Sequence, residues 1–297
     1  MSTSQGFGYW VRWQVPVCAL IFIVPAVIAL NFIRKGNAEP LKSCVLWKPC
    51  WRNLNPLWLL FYRAFACLCL AWTLYSMVSS HGAFVLYYFY TQWTLALVMC
   101  YFALGTVISA YGCCGSSSSI TNRDKEFKGK SKRLGPLAQK EILAGPWGYL
   151  MHAMYQTSGA ASILTDIVFW CVLVPLLVNV QFELTLLIGA LHSLNALLLI
   201  GDTALNGLTF TWVGFAYFVL WSCLYISFQW IIHAFGSSTG SSSRWPYPFL
   251  ELDTPWAPLC YFGLALFHVP CYWIYALIVK GKDSILSRLF PHAFVKV

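Results

Sequence analysis

The stretch YYFYTQWTLALVMCYF, residues 87–102, indicates the fold class of this chain. It is almost entirely apolar, yet Thr91, Gln92 and Thr94 stand near its start. The apolar run extends over residues 83–110, which exceeds the about 20 residues that an α-helix needs to cross a bilayer. We therefore predict a membrane helix that carries hydroxyl and amide groups into the interior of a bundle.

The composition of the whole chain supports the same class. Of its 297 residues, 59% are hydrophobic and only 10% are charged, whereas about a quarter of the residues of a soluble domain are charged. The mean hydropathy is +0.65. Too few polar residues are present to cover a water-facing surface, so composition predicts an integral membrane protein.

Seven segments satisfy the length criterion for a membrane span. We therefore expect an all-α, polytopic transmembrane helical bundle that forms one domain, with a six-span core preceded by an N-terminal span. Arg34 and Lys35 follow the first span directly, which favours a retained helix over a cleaved signal peptide. The predicted spans are residues 15–33, 57–80, 83–110, 152–178, 184–206, 209–235 and 257–279.

The basic residues predict the orientation. All but three of the 19 Lys and Arg residues fall in segments 34–56 and 111–151 or in the tail after residue 279. Seven spans place these three segments on one side, so the positive-inside rule predicts a cytosolic C-terminus and an outside or lumenal N-terminus. Residues 111–151 are then a basic cytosolic loop and residues 236–256 an outer loop. The endoplasmic reticulum and the plasma membrane both remain open as locations.

The charge pattern also limits the partners. The net charge is +9, but the basic residues are spread over loops, which argues against a nucleic-acid partner. The stretch RDKEFKGKSKR, residues 123–133, is either a solvated loop or a contact with an anionic leaflet. Most of the 12 Cys residues lie in apolar segments, where thiols pack as small hydrophobic groups. No Cys/His cluster has zinc-like spacing, so we expect no metal and no cofactor.

Polar residues within spans are costly in a bilayer and are therefore candidates for function. Counted from the outer end of each span, Thr91 and His192 both lie about 12 Å deep at 1.5 Å per residue. A nucleophile and its general base must lie at the same depth in the membrane, since they must approach each other to about 3 Å. Two structural alternatives stay open: Thr91 bonding the Tyr87 carbonyl one turn back, or His192 bridging two helices.

Other polar residues fit supporting or structural roles. Gln92 and Thr94 are the nearest candidates for stabilising an oxyanion. Asn195 lies one turn from His192 on the same face and is a candidate to orient its ring. Asp166 would complete a Thr-His-Asp relay. His268 lies nearer mid-membrane, and we interpret it as structural.

Two charged residues fall in the inner half of the predicted bundle. Arg63 and Asp202 lie near the cytosolic ends of their spans. We favour a structural ion pair between them, with a coupling-ion site as the alternative.

Three motifs occur in a characteristic order: YTQWT at 90–94, HSLNALLLIGD at 192–202 and RWPYPFL at 244–250. As an ordered set, over about residues 84–282, they resemble the androgen-induced and androgen-dependent integral membrane hydrolases. The resemblance implies an intramembrane threonine hydrolase of fatty acid esters of hydroxy fatty acids, with Thr91 as nucleophile and His192 as base. Thr94 and Ser193 stand where that family has Asn and Thr.

A tighter resemblance is to plant-type multispan proteins related to the rolling stone proteins. It rests on TQWT at 91–94, LTDIVFW at 164–170 and HSLNALLLIGDTALN at 192–206. That family implies no established chemistry, and rolling stone is similar to a cell-surface factor in muscle-cell fusion.

Three classes of function follow from these observations. The first is an intramembrane hydrolase of lipid esters, with membrane lipids as its surroundings and substrate source. The second is a non-enzymatic membrane protein acting in adhesion, fusion or as a scaffold. The third, a transporter, is disfavoured by an odd number of spans without an internal repeat. The match to Gly-x-Ser-x-Gly, GSSTG at 236–240, falls in a Ser/Gly-rich loop and not on a strand-to-helix turn, which argues against the usual serine lipase.

Overall fold

The structure is a computed structural model that describes residues 7–36, 40–83, 88–126, 143–177, 186–238 and 245–295. These residues form ten α-helices, a π-helical turn at Val168–Leu173 and 3₁₀ turns at Ser43–Leu46 and Pro248–Leu250, with no strand among them. The helices are α1 (Phe7–Trp10), α2 (Gln14–Lys35), α3 (Pro56–His81), α4 (Tyr90–Glu126), α5 (Pro146–Ile167), α6 (Val174–Leu177), α7 (Leu186–Leu191), α8 (Leu194–Leu205), α9 (Trp212–Ser238) and α10 (Ala257–Leu289).

In the part of the chain that the structure describes, six helical segments are long and apolar enough to cross a membrane, which confirms an all-α polytopic bundle. They are α2, α3, α4, α5 with its π-helical turn, α9 and α10. The segment predicted as a continuous span at 184–206 differs, because it contains two short helices, α7 and α8, that meet at His192 and Ser193. At 1.5 Å per residue, α8 alone is about 18 Å long and too short to cross.

Two predicted boundaries differ from the helix ends observed. The span predicted at 83–110 begins as helix α4 only at Tyr90, and residues 84–87 lie outside the described ranges. The same helix continues to Glu126, so the first part of the predicted 111–151 loop is helical. Most of the basic stretch 123–133 lies outside the described residues, and its contact with an anionic leaflet stays a prediction.

Local sequence explains several helix ends. The Asn55 side chain accepts a hydrogen bond from the Leu57 N–H at 3.0 Å, and Pro56 occupies the first turn of α3. Both are favoured at helix N-termini, where free N–H groups need acceptors and Pro lacks one. Gly82 ends α3 with a positive φ of 85°, a conformation that costs glycine little.

Helix α5 occupies the centre of the bundle. It packs against α4, α8, α9 and α10, while α3 packs against α4, α7 and α8. Helix α2 lies at the periphery and contacts α9 and α10. We call the end that holds α1 and Pro248–Leu250 the outer end, after the predicted orientation, and the opposite end the inner end.

Candidate functional site

Thr91 and His192 line one cavity near the outer end of the bundle. The cavity has a volume of about 70 Å³, and His268 also lines it. Helices α4, α5, α9 and α10 contribute to its wall, as do the α7–α8 junction and residues 247–250. The shared depth expected from the sequence thus corresponds to a shared cavity, which we call the Thr91 cavity.

Thr91 lies in the first turn of α4 and is 5% exposed. Its hydroxyl lies next to the phenol oxygen of Tyr247 and lowers the pKa of that phenol. The Tyr90 N–H donates to that oxygen at 3.2 Å. Tyr247 therefore acts as a cap on the N-terminus of α4, where free N–H groups need acceptors. Residues 84–87, and with them the alternative bond from Thr91 to the Tyr87 carbonyl, lie outside the described part of the chain.

Sequence reasoning did not find Tyr247 as a site residue, although it lies in the RWPYPFL motif. Its ring stacks on Phe249, with centroids 4.9 Å apart and planes 6° apart. Burial raises the pKa of Tyr247 to about 12, against the opposite effect of the Thr91 hydroxyl and of backbone N–H groups. The phenol therefore keeps its proton at neutral pH. The proline and aromatic residues of RWPYPFL lie in the predicted outer loop, next to spans that contain polar residues. This is the sequence signal that could have indicated Tyr247.

His192 occupies the break between α7 and α8. The π-helical turn after α5 places Phe169 against it, with ring centroids 3.5 Å apart and planes 1° apart. π-Helical turns within α-helices are frequent at functional sites. His192 Nδ1 is buried and has no hydrogen-bond partner among the described residues. Stacking on Phe169 therefore fixes the ring plane, and a ring nitrogen stays available.

The complete relay considered from the sequence is not formed. No hydrogen bond joins Thr91 to His192 within the described ranges. Asp166 Oδ1 and His192 Nδ1 are each buried without a partner in the described chain. Asn195 is fully buried with both amide atoms unpartnered among these residues, so it does not orient the His192 ring.

Gln92 and Thr94, the expected oxyanion donors, do not line the Thr91 cavity. The Thr94 hydroxyl donates to the Tyr90 carbonyl at 3.0 Å, a bond that a buried helical threonine commonly makes with the preceding turn. Gln92 is 3% exposed, and its Oε1 has no partner in the described part of the chain.

His268, interpreted from sequence as structural, is a second imidazole in the cavity wall. Its Nδ1 lies 2.8 Å from the Leu264 carbonyl oxygen. A carbonyl only accepts, so Nδ1 carries the proton and Nε2 of the neutral ring presents a lone pair. That Nε2 is buried and unpartnered among the described residues. Depth along the chain could not reveal this residue, because the path of α10 places it beside Thr91.

Arg63 and Asp202 form an ion pair nearer the inner end, away from the Thr91 cavity. Arg63 Nε donates to Asp202 Oδ1 at 2.9 Å, and both side chains are fully buried. Asp202 Oδ2 accepts from the Tyr101 hydroxyl at 2.5 Å and from Asn206 Nδ2 at 2.6 Å. The carboxylate is therefore neutralised and hydrogen-bonded within the protein, an arrangement typical of a structural pair.

Within the described ranges, no group of three His, Cys, Asp or Glu residues is placed to hold a metal ion. Comparisons with protein families, curated proteins and solved structures find no match for this chain. The site must therefore be interpreted from its own geometry.

Proposed function

We propose that this multi-pass membrane protein hydrolyses lipid carboxylic esters within the bilayer, with Thr91 as nucleophile and His192 as general base. The observation that carries the proposal is that both side chains line one cavity near the outer end of the bundle. A hydroxyl and an imidazole in one cavity are the minimum set for acyl transfer. The motif order around Thr91, His192 and residues 244–250 supports the same class.

The proposed reaction has two steps. Thr91 Oγ attacks the ester carbonyl and passes its proton to His192. The bond to the alcohol then breaks, and the alcohol leaves with that proton. Water next attacks the threonine ester and gives a proton to His192. Thr91 regains that proton as the fatty acid is released. Contacts between base and nucleophile are often long before substrate binds, so a bond from His192 to Thr91 is expected in the complex.

Tyr247 is the proposed stabiliser of the tetrahedral intermediate. Its oxygen accepts a hydrogen bond from the Tyr90 N–H at 3.2 Å, and its own O–H has no acceptor among the described residues, so it is available to donate. Burial keeps the phenol protonated, as a donor to an oxyanion must be. This role replaces the one considered for Gln92 and Thr94.

The test is labelling of the detergent-solubilised protein with a fluorophosphonate probe, which reacts with activated hydroxyls. We expect labelling of the wild type, none of Thr91→Ala, and a loss of at least about 100-fold in His192→Ala, since such proton transfers contribute about 10²–10⁴-fold. Tyr247→Phe should reduce labelling by about 10²–10³-fold if its O–H stabilises the oxyanion.

Thr165→Ala is the matched control, because Thr165 lines the same cavity but bonds the Ala161 carbonyl at 3.1 Å and the Ser162 carbonyl at 2.9 Å. Thr165→Ala should label like the wild type.

His268→Gln distinguishes the roles of the two imidazoles in the cavity. If this variant keeps its labelling, His192 is the general base. An unlabelled but monodisperse wild type would refute the hydrolase and favour the non-enzymatic scaffold, with Thr91 serving only to contact Tyr247.

A further inference from the structure

Two further cavities continue from the Thr91 cavity towards the membrane-facing side of the bundle. The middle cavity, of about 150 Å³, lies between α2, α9 and α10. It shares four wall residues with the Thr91 cavity, namely Ser222, Ile226, Leu264 and His268. The two spaces therefore adjoin across one thin wall of side chains.

The third space is a lateral groove of about 630 Å³ between α2 and α9. It shares Pro25, Phe215 and Val219 with the middle cavity. Ile28, Phe32 and Trp212 line the groove and are 63%, 46% and 64% exposed, so it opens on the surface that faces lipid. The three spaces thus form one row from the lipid-facing surface to Thr91.

The length of the row follows from α9, which borders all of it. Trp212 lines the lateral groove, and Ile226 lines the Thr91 cavity. These positions are fourteen residues apart along the helix, which corresponds to about 21 Å at 1.5 Å per residue. The row is therefore about 21 Å long, and the largest of its three spaces is the one at the lipid-facing surface.

Apart from His268, which the middle cavity shares with the Thr91 cavity, the polar groups along the middle cavity are paired. Ser222 bonds the Tyr90 hydroxyl at 2.8 Å, Cys223 Sγ donates to the Phe22 carbonyl at 3.3 Å, and the Tyr261 hydroxyl donates to the Leu250 carbonyl at 3.1 Å. Paired hydroxyls and thiols offer little to a polar ligand. The remaining lining of the groove is aliphatic and aromatic.

We propose that this row is an acyl channel: it holds the hydrocarbon chain of the lipid ester, with the ester group in the Thr91 cavity and the chain end between α2 and α9. A long apolar occupant with one polar end fits a space that is apolar along its length and carries imidazoles and a hydroxyl at one end. This inference rests on the proposed function and assigns the place where the acyl chain of its substrate lies.

Helix α2 is well suited to border the entrance. It packs only at the periphery, against α9 and α10, and Pro25 interrupts its hydrogen bonding beside both the groove and the middle cavity. A proline inside a helix removes one backbone hydrogen bond and bends the helix. In the proposal, the acyl chain enters here sideways from the leaflet, without crossing water.

The first experiment fills the junction between the groove and the middle cavity. Val219→Trp should lower the rate of 4-nitrophenyl palmitate hydrolysis, relative to the rate for 4-nitrophenyl acetate, by at least about tenfold, the scale on which pockets discriminate by size. Leu224→Trp is the matched control, since Leu224 lies on the same helix, is 55% exposed and lines none of the three spaces. Equal palmitate-to-acetate rate ratios in the two variants would overturn the channel while leaving the hydrolase intact.

The second experiment measures occupancy without turnover. Thr91→Ala protein is irradiated with a palmitic acid that carries a diazirine at its chain end, and the cross-linked peptides are identified by mass spectrometry. We expect cross-links in α2 and α9 around the groove and their loss in Val219→Trp. Cross-links spread over all lipid-facing helices would overturn the channel. Cross-links confined to the groove, in a protein that hydrolyses no ester, would support the channel and refute the hydrolase.

Discussion

Arg63 and Asp202 are charged side chains buried completely inside an apolar bundle. Removing two charges from water costs several kcal/mol per ion, which mutual attraction and further hydrogen bonds offset only when geometry is good. Here Arg63 Nη1 also donates to the Leu46 carbonyl at 2.6 Å and to the Ser109 hydroxyl at 2.8 Å. The pair therefore connects α3 and α8 with α4 and the Ser43–Leu46 turn.

Asp202→Asn should destabilise the fold by about 3–5 kcal/mol, because Arg63 would keep a buried charge without its counter-ion. The double variant Arg63→Met with Asp202→Leu should recover most of that loss, since no isolated charge remains. Thermal unfolding in detergent, followed by intrinsic fluorescence, measures both.

The control for this series is Asp253→Asn. It removes a partner from the Arg12–Asp253 pair, whose side chains are 41% and 53% exposed. Exposed ion pairs contribute little to stability, so Asp253→Asn should hardly change the midpoint of thermal unfolding. A shift for Asp202→Asn no larger than this control would show that the buried pair is not needed for stability.

At the scale of elements, α5 can occupy the centre because its side chains are small. Its stretch TSGAAS, residues 157–162, is buried throughout. Small residues let membrane helices approach each other closely. In a bilayer the hydrophobic effect does not drive helices together, so close packing and hydrogen bonds between helices stabilise their association. A Cβ at Gly159 would lie 2.7 Å from a ring carbon of Tyr275 in α10. The glycine is therefore required by the close approach of two helices.

Gly159→Ala should destabilise the protein by about 1–3 kcal/mol, the usual cost of overpacking a filled core. The Tyr275 ring cannot move aside freely, since its hydroxyl bonds Thr203 at 2.9 Å. Gly263→Ala in α10 is the matched control, because a Cβ there meets nothing within 4 Å. It should stabilise the helix by up to about 1 kcal/mol. Chemical denaturation in mixed micelles compares the two, and equal effects would refute close packing at Gly159.

At the scale of the whole molecule, the orientation follows from the distribution of basic loops and stays a prediction. It places the Thr91 cavity in the outer or lumenal half of the bilayer and the Arg63–Asp202 pair in the cytosolic half. The lateral groove then opens at the level of the inner half, nearer the cytosolic ends of α2 and α9. Substrate would enter from one leaflet and react at the level of the other.

An impermeant maleimide tests this orientation in sealed vesicles whose cytosolic face is outward. Native Cys44 is exposed in the 34–56 segment, so it should react before detergent is added. In a Cys44→Ser background, Asp253→Cys should react only after detergent, because it lies in the predicted outer loop. The reverse order of reaction would show that the positive-inside assignment is wrong.

The sequence by itself determined the class of this protein, because membrane insertion depends on apolar length, which is a local property. It also placed Thr91 with His192, and Arg63 with Asp202, at matching depths, since depth follows from the rise per residue along a span. It did not predict the break at His192, because α7 and α8 are as apolar as one continuous helix.

Only the tertiary structure decided which of these residues meet. Neighbouring helices and their rotation depend on packing between distant segments, and no local pattern encodes them. That packing brought Tyr247 and His268 to the Thr91 cavity, left Asp166 and Asn195 without the roles considered for them, and aligned α2 with α9 along the proposed acyl channel. Span depth is fixed residue by residue along the chain, whereas the site exists only because separate helices pack against α5.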